Sequence, residues 1–348
     1  MNENLVGSVI IQEAYNIRVL NQVTAHTIVD IGKFSVRKVF SAISILVRII
    51  GQMFSFRPDI VYFTMSPSGF AFYRDAFYLF IIRLFRTKLV LHFHGKGISE
   101  GAQKSRLFRF LCRNIFRGSY TIHMSERLVK DLQGFPVRKT FIVPYGLPDV
   151  TKNPIHKEYG GTVRLLFLSN YVKTKGVLDL VEAVRKVAAE NRNFHLDLVG
   201  KPYDVSMEEL QRLTREYGLE DVVSVCGPRY GQEKFETLSK AQVFIFPTYY
   251  FNEAFPIALL EAMQFGLACI TTREGGIPDM IDDNVNGYLV DHRDVQALAE
   301  KILLLLRSPE MIQSMGVNAR KKFCEKYTLD FFEQNMKATF DDILNDRR

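Results

Sequence analysis

Two carboxylates, Glu253 and Glu261, flank Pro256 in the run Phe251-Asn252-Glu253-Ala254-Phe255-Pro256-Ile257-Ala258-Leu259-Leu260-Glu261-Ala262-Met263. Carboxylates accept hydrogen bonds from hydroxyls, and in so apolar a run they need a partner, because an unpaired buried carboxylate is costly. Pro256 suits a first helical position, and Ile257, Leu260 and Met263 recur at helical spacing up to a stop at Gly266. The start of such a helix leaves N–H groups free to hold an anion. A phosphate at the helix tip, with an acid reaching hydroxyls on either side, is the chemistry of nucleotide-sugar binding.

Other residues with chemical potential stand at strand ends. Lys173 and Lys175 occupy a loop that follows the apolar run Val163–Leu168. They are placed to meet phosphate, although two loop lysines are often only solvated. The Gly-x-x-x-x-Gly-Lys-Ser/Thr pattern of a Walker A loop is missing. His94 closes the run Lys88–Phe93 next to Gly95. A histidine there can donate to a ligand or exchange a proton near neutral pH. His92 points to the same face of the strand, and His123 ends another, so local backbone bonds are the competing explanation for all three. His94, beside the glycine, is the better candidate.

These residues require a scaffold of strands ending in glycine or proline turns. Apolar runs at 59–64, 88–94, 119–124 and 140–143 alternate with helical stretches at about 70–85 and 104–117, and residues 9–24 also read as helix. Pro148, Pro154, Gly160 and Gly161 mark residues 148–162 as a linker. The pattern then restarts with runs at 163–169, 194–200, 222–226, 243–247, 268–272 and 287–290. Helices are expected from about 176, and at about 206–217, 232–240, 294–307 and 329–345. This is an α/β chain of two Rossmann-like domains facing a cleft. The expected division is 1–150 for the first domain and 151–328 for the second, with the helix of 329–348 packing back on the first.

A chain of 348 residues with 47% hydrophobic residues has ample material for two cores. No apolar stretch approaches the roughly 18 residues of a spanning helix, and the N-terminus lacks the pattern of a signal peptide. The scattered Cys112, Cys226, Cys269 and Cys324 fit neither a disulfide framework nor a zinc site, so a cytoplasmic setting is expected. The net charge of +7 is unevenly placed: residues 1–160 hold 22 Lys and Arg against 10 Asp and Glu, and residues 161–348 hold 23 against 28. A basic first half suits an anionic partner, whether a membrane surface or a phosphorylated acceptor, although a merely solvated basic surface has the same composition. Basic amphipathic segments at Arg37–Arg57 and 104–117 fit peripheral contact with the inner face of the cell membrane. They fit equally the outer helices of an α/β domain. No nucleic-acid-binding motif accompanies the basic residues.

The Glu253-(seven residues)-Glu261 pair in its Phe-Pro-x-x-x-x-Glu-Ala-Met setting resembles the signature of family-4 retaining glycosyltransferases of the bacterial surface-polysaccharide type, which have the GT-B fold. Gly266, Gly275-Gly276-Ile277-Pro278-Asp279 and Asn286-Gly287-Tyr288-Leu289-Val290 continue the agreement, and Lys175-Gly176 and Gly227 fall where that family has equivalents. The resemblance implies that Glu261 bonds the donor ribose and Glu253 the sugar hydroxyls. It implies further that amides of Phe255, Pro256 and Ile257 surround the diphosphate, that Lys175 neutralises it, that Gly227-Pro228 passes the base, and that His94 lies near the transferred sugar or acceptor.

Three positions depart from the family. Asn170 stands at the donor-site position where an arginine is usual, Tyr145-Gly146 replaces Asn-Gly, and only Gly7 remains of an opening glycine turn. The first domain is therefore expected to lack its N-terminal strand. The implied reaction is transfer, with retention and without a metal or cofactor, from a UDP- or GDP-linked sugar to a glycan or polyprenyl-diphosphate-linked acceptor. A catalytically silent GT-B scaffold or a GT-B epimerase are the alternative readings.

Overall fold

The computed structural model describes residues 2–21, 36–151, 157 and 161–347. The chain divides into two compact units, one formed by Met1–Pro144 with Phe332–Arg348 and the other by Tyr145–Phe331. The division falls at Pro144 because the residues just beyond it are tied to the second unit. The Pro148 carbonyl accepts from the Gln264 side chain at 2.7 Å, and Asp149 pairs with Arg320 at 2.7 Å. The start of the expected linker is therefore part of a folded unit, while 152–156 and 158–160 lie outside the described residues.

The first unit begins with α1 (Asn2–Gly7), α2 (Val9–Ala14) and α3 (Val36–Ser55). It continues through β1 (Ile60–Met65), α4 (Gly69–Arg83), β2 (Lys88–Phe93), α5 (Ile98–Lys104), α6 (Arg106–Phe116), β3 (Tyr120–His123), α7 (Glu126–Val129) and β4 (Lys139–Ile142). Its strands pair in parallel in the order β1-β2-β3-β4. Among the described residues no strand precedes β1, and Gly7 ends a helix. The helix expected over 9–24 stops at Ala14. Tyr15 turns extended (φ −137°, ψ 146°), and its hydroxyl bonds the Lys337 carbonyl at 3.0 Å and Asp341 at 2.7 Å. Residues 22–24 of that expectation lie outside the described residues. The core sits between the sheet and α3, α4 and α6, around the fully buried Phe72, Leu79, Leu91, Ile115 and Phe116. Each such side chain contributes about 1.5–3 kcal/mol.

The second unit runs β5 (Val163–Leu168), α8 (Val177–Ala188), β6 (Phe194–Val199), α9 (Met207–Glu216), β7 (Val223–Cys226), α10 (Gly231–Lys240) and β8 (Val243–Phe246). After these come α11 (Ile257–Gln264), β9 (Ala268–Thr272), α12 (Ile277–Met280), β10 (Gly287–Val290), α13 (Val295–Leu306) and α14 (Pro309–Lys326). Its parallel sheet has the order β10-β9-β8-β5-β6-β7. Every residue of β8, β9 and β10 is buried, as in a sheet covered on both faces, and the two polar ones, Thr271 and Thr272, donate their hydroxyls to the Phe246 and Thr248 carbonyls.

The last helix, α15 (Leu329–Asn345), returns to the first unit. Lys88 donates to the carbonyls of Ile343 and Leu344 at 2.9 and 2.8 Å, a cation on the negative end of the helix. Beyond α15, Arg138 grips both oxygens of Asp346 at 2.7 Å.

Candidate active site

In the second unit the chain moves outward from β5 in one direction through β6 and β7, and in the other through β8, β9 and β10. Parallel sheets collect ligands at the carboxyl ends of strands where the order reverses, here between β5 and β8. The loops that leave these two strands are locked together. The Tyr249 N–H donates to the Thr174 carbonyl at 2.8 Å. Gly176 adopts φ +81°, and a Cβ there would strike the Pro247 carbonyl. Only glycine permits both the left-handed turn and the close approach.

This contact brings Lys175 onto Glu253. The two form an ion pair, with Glu253 only 8% exposed. The Lys175 ammonium also lies 4.7 Å from the Tyr250 ring centroid and 5.4 Å from that of Phe246, which adds cation–π attraction. Gly275, at φ +54°, supports the loop from the β9 side, where a Cβ would run into the Glu253 carbonyl. The neighbouring Gly276 N–H donates to the Ala254 carbonyl at 2.8 Å.

Glu261 has its own partner, the Lys234 ammonium at 2.5 Å from Oε1. Lys234 lies on α10, which follows β7 and the Gly227-Pro228 turn. Arg229 anchors that turn through Thr237 Oγ1 at 2.7 Å and Glu233 at 3.3 Å. Between the two acids, α11 starts one residue later than expected. Pro256 is its N-cap (φ −69°, ψ 119°), so the first-turn N–H groups of Ile257 and Ala258 have no acceptor inside the helix. Leu260 and Met263 are buried as the spacing predicts, but Ile257 is 44% exposed because the helix tip emerges from the core. Phe255 is buried, its ring 5.8 Å from that of Tyr327, so its side chain fixes the loop while its backbone stays at the tip. Asn170 is exposed just beyond β5. Two lysine–carboxylate pairs and one helix tip therefore share the second unit with Gly227, Pro228 and Asn170.

A sequence profile for "Glycosyl transferases group 1" matches residues 151–322. The N-acetyl-alpha-D-glucosaminyl L-malate synthase of Bacillus anthracis is 30% identical over 75% of this chain and 69% of its own. The chain belongs to the group 1 glycosyl transferases. The amylovoran biosynthesis glycosyltransferase AmsK of Erwinia amylovora is 26% identical to this transferase over 69% of the chain, which spans only 60% of AmsK. Among solved structures, Anabaena HepE in complex with UDP superposes with a TM-score of 0.70 at 18% identity, covering 86% of this chain and 82% of that one. The fold is GT-B, with two Rossmann-like domains.

The transferase carries His94 in its other unit. His92 is completely buried and shares a 2.6 Å hydrogen bond with the Tyr62 hydroxyl through Nδ1. The His94 ring lies 4.2 Å from that of His92, on the same side of β2 as strand alternation predicts. Both His94 ring nitrogens are buried and lack a hydrogen-bond partner among the described residues. Burial pushes the His94 pKa down to about 4, so the imidazole is neutral at physiological pH. His123 stacks on Phe93 at 5.2 Å, and burial pushes its pKa down to about 4 as well.

Sequence reasoning demanded a partner for Glu261 without finding Lys234. The available signal was a lysine just inside the helix after the Gly227-Pro228 turn, on the strand-end edge that Glu261 also faces. Pairing across 27 positions depends on the β7–α10–α11 layout, which periodicity does not encode.

Proposed function

We propose that this chain transfers a sugar, with retention, from a UDP- or GDP-linked donor to a glycan or polyprenyl-diphosphate-linked acceptor in bacterial surface-polysaccharide assembly. The observation that carries this reading is the placement of Lys175–Glu253 and Lys234–Glu261 beside the tip of α11 at the switch point of one parallel sheet. AmsK, a relative by sequence, is named for amylovoran biosynthesis, and HepE, a neighbour by fold, has been crystallised with UDP and with UDP-glucose.

In this reading Glu261 accepts from the donor ribose, Gly227-Pro228 borders the base, and Asn170 lies beside the phosphates. The Phe255–Ile257 backbone and the α11 tip receive the diphosphate. During transfer the bond from the anomeric carbon to the diphosphate oxygen breaks, and its electron pair leaves with the nucleoside diphosphate. The acceptor hydroxyl bonds to the same face of that carbon and passes its proton to the departing diphosphate oxygen. Negative charge grows on the leaving oxygen, and the Lys175 ammonium with the helix-tip amides stabilises it electrostatically. Lys175 is held by Glu253, so little reorganisation precedes the step. Glu253 also orients sugar hydroxyls.

Isothermal titration with UDP and GDP, together with nucleoside-diphosphate release from a panel of nucleotide-sugars, tests the proposal. Glu261→Ala is expected to weaken nucleotide binding by about tenfold or more, the cost of a lost charge-assisted hydrogen bond. Unchanged affinity in a folded Glu261→Ala protein would sink the assignment. Nucleotide binding without any turnover would favour a silent scaffold.

A further inference from the structure

Helix α4 is apolar on both faces. Phe72, Ala76, Leu79 and Ile82 point into the first unit's core. Phe70, Tyr73, Phe77, Phe80 and Leu84 form an outward stripe at steps of three and four residues, with exposures of 83, 40, 55, 48 and 70%. The charges of α4 are not spread over that stripe. Asp75 is buried and paired with Arg74 at 2.7 Å, and Arg83 donates to the Ile115 carbonyl at 2.9 Å. A helix that is apolar all round needs cover on both sides.

Its neighbours extend the surface. On one side α3, tied to α4 by the Tyr78 hydroxyl on the Ala42 carbonyl at 2.9 Å, exposes Phe40, Ile43, Val47 and Phe54. On the other side α6, whose Phe108 ring stacks on Phe72 at 3.7 Å, exposes Leu107 and Phe110. Neither α3 nor α6 contains an acidic residue, whereas Arg48, Arg106, Arg109 and Arg113 are exposed on them. Where α3 and α4 end, Phe54 continues the apolar surface into a cavity of about 520 Å³ lined also by Arg57, Asp59, Arg86 and Lys88, so that bases outnumber acids there three to one.

We propose that the α3–α4–α6 face docks onto an anionic lipid bilayer, with the α4 stripe entering the interface and the arginines meeting headgroup phosphates. Charge selects this occupant. A second copy related by a two-fold axis would set arginines against arginines, with no carboxylate on α3 or α6 to pair them and Asp75 of α4 buried against Arg74. A bilayer supplies apolar depth and negative charge together. Among the described residues no helix is long and apolar enough to cross a membrane, so contact by these helices is in the plane of the interface. This inference stands apart from sugar transfer and makes no use of Glu253, Glu261 or Lys175.

Flotation of the full chain with phosphatidylcholine vesicles, alone or containing 30% phosphatidylglycerol (roughly the anionic fraction needed to attract such a surface), is the test. Binding is expected only with the anionic lipid and is expected to fall as salt rises. Phe77→Ser with Phe80→Ser, both outward-facing, should reduce it by about tenfold or more while leaving the melting transition and UDP affinity unchanged. Arg106→Glu with Arg113→Glu should abolish the preference for phosphatidylglycerol. Equal flotation with both lipids, or none, overturns the proposal. So does a concentration-dependent dimer in light scattering that disappears in the Phe77/Phe80 variant. UDP affinity read on the same samples keeps failure of this inference separate from failure of the donor site.

Discussion

Lys234 engages Glu261 through one oxygen, and a carboxylate has acceptor capacity for a second partner. In the proposed reading the lysine holds the acid for a ribose without consuming it. Removing it leaves a mostly buried carboxylate unpaired, so Lys234→Met should weaken UDP binding by about 3–10-fold in titration. In a double-mutant cycle with Glu261→Ala the two losses should fall short of additive, since both act through one contact. Full additivity would show that the pair does not cooperate. Gly275 tests the other acid. An added methyl at φ +54° must displace the Glu253 carbonyl, so Gly275→Ala should lower kcat/KM by about tenfold or more. UDP affinity should fall as well, because the same methyl presses on the Ala254 carbonyl beside the Phe255–Ile257 backbone assigned to the diphosphate, and unchanged values of both would remove this loop from the site.

At the scale of elements, the strands were legible because parallel strands in a covered sheet are short apolar runs closed by glycine or proline. Val243–Phe246 before Pro247 is an example, whereas Val223–Cys226 before Gly227, a half-buried edge strand with Ser224 inside it, is marked mainly by its closing turn. Helix α14 is hard to see in the sequence, although Pro309 opens it and Ile312, Met315, Ala319 and Phe323 repeat at helical steps on its buried face. Polar residues make up half of it and blur that period. The turn of the chain at Tyr15 was not legible either, because its cause is a hydrogen bond to Asp341 at the far end of the sequence. For the site, the acids, the lysine of the first loop and the helix between them were visible as residue types at strand ends. The pairing of Lys175 with Glu253 was not, because it depends on β5 and β8 being neighbours.

At the scale of the molecule, the two units should respond to different solution variables. Buried histidines lie in the first: burial holds His92 well below the ordinary range, and His94 and His123 at about 4. The unfolded chain takes up those protons near pH 6.5, whereas in the folded unit His94 and His123 resist them until about pH 4 and burial keeps His92 neutral well below 6.5. Their contribution is therefore fully present above pH 6.5 and is lost as pH falls toward 4, at up to about 1.4 kcal/mol per pH unit for each imidazole. The nucleotide, by contrast, is assigned to residues of the second unit alone. UDP at about 100 times its Kd should stabilise that unit by roughly 2.7 kcal/mol. Hydrogen exchange separates the two effects. From pH 7 to 5, after correction for intrinsic exchange, peptides covering β1–β4 should lose protection, and His123→Phe should reduce the loss by about a third. Saturating UDP at pH 7 should raise protection in peptides from 145–331, most strongly at the loops after β5 and β8. Acid sensitivity confined to β5–β10, or UDP protection confined to β1–β4, would reverse the assignment of chemistry to the two units.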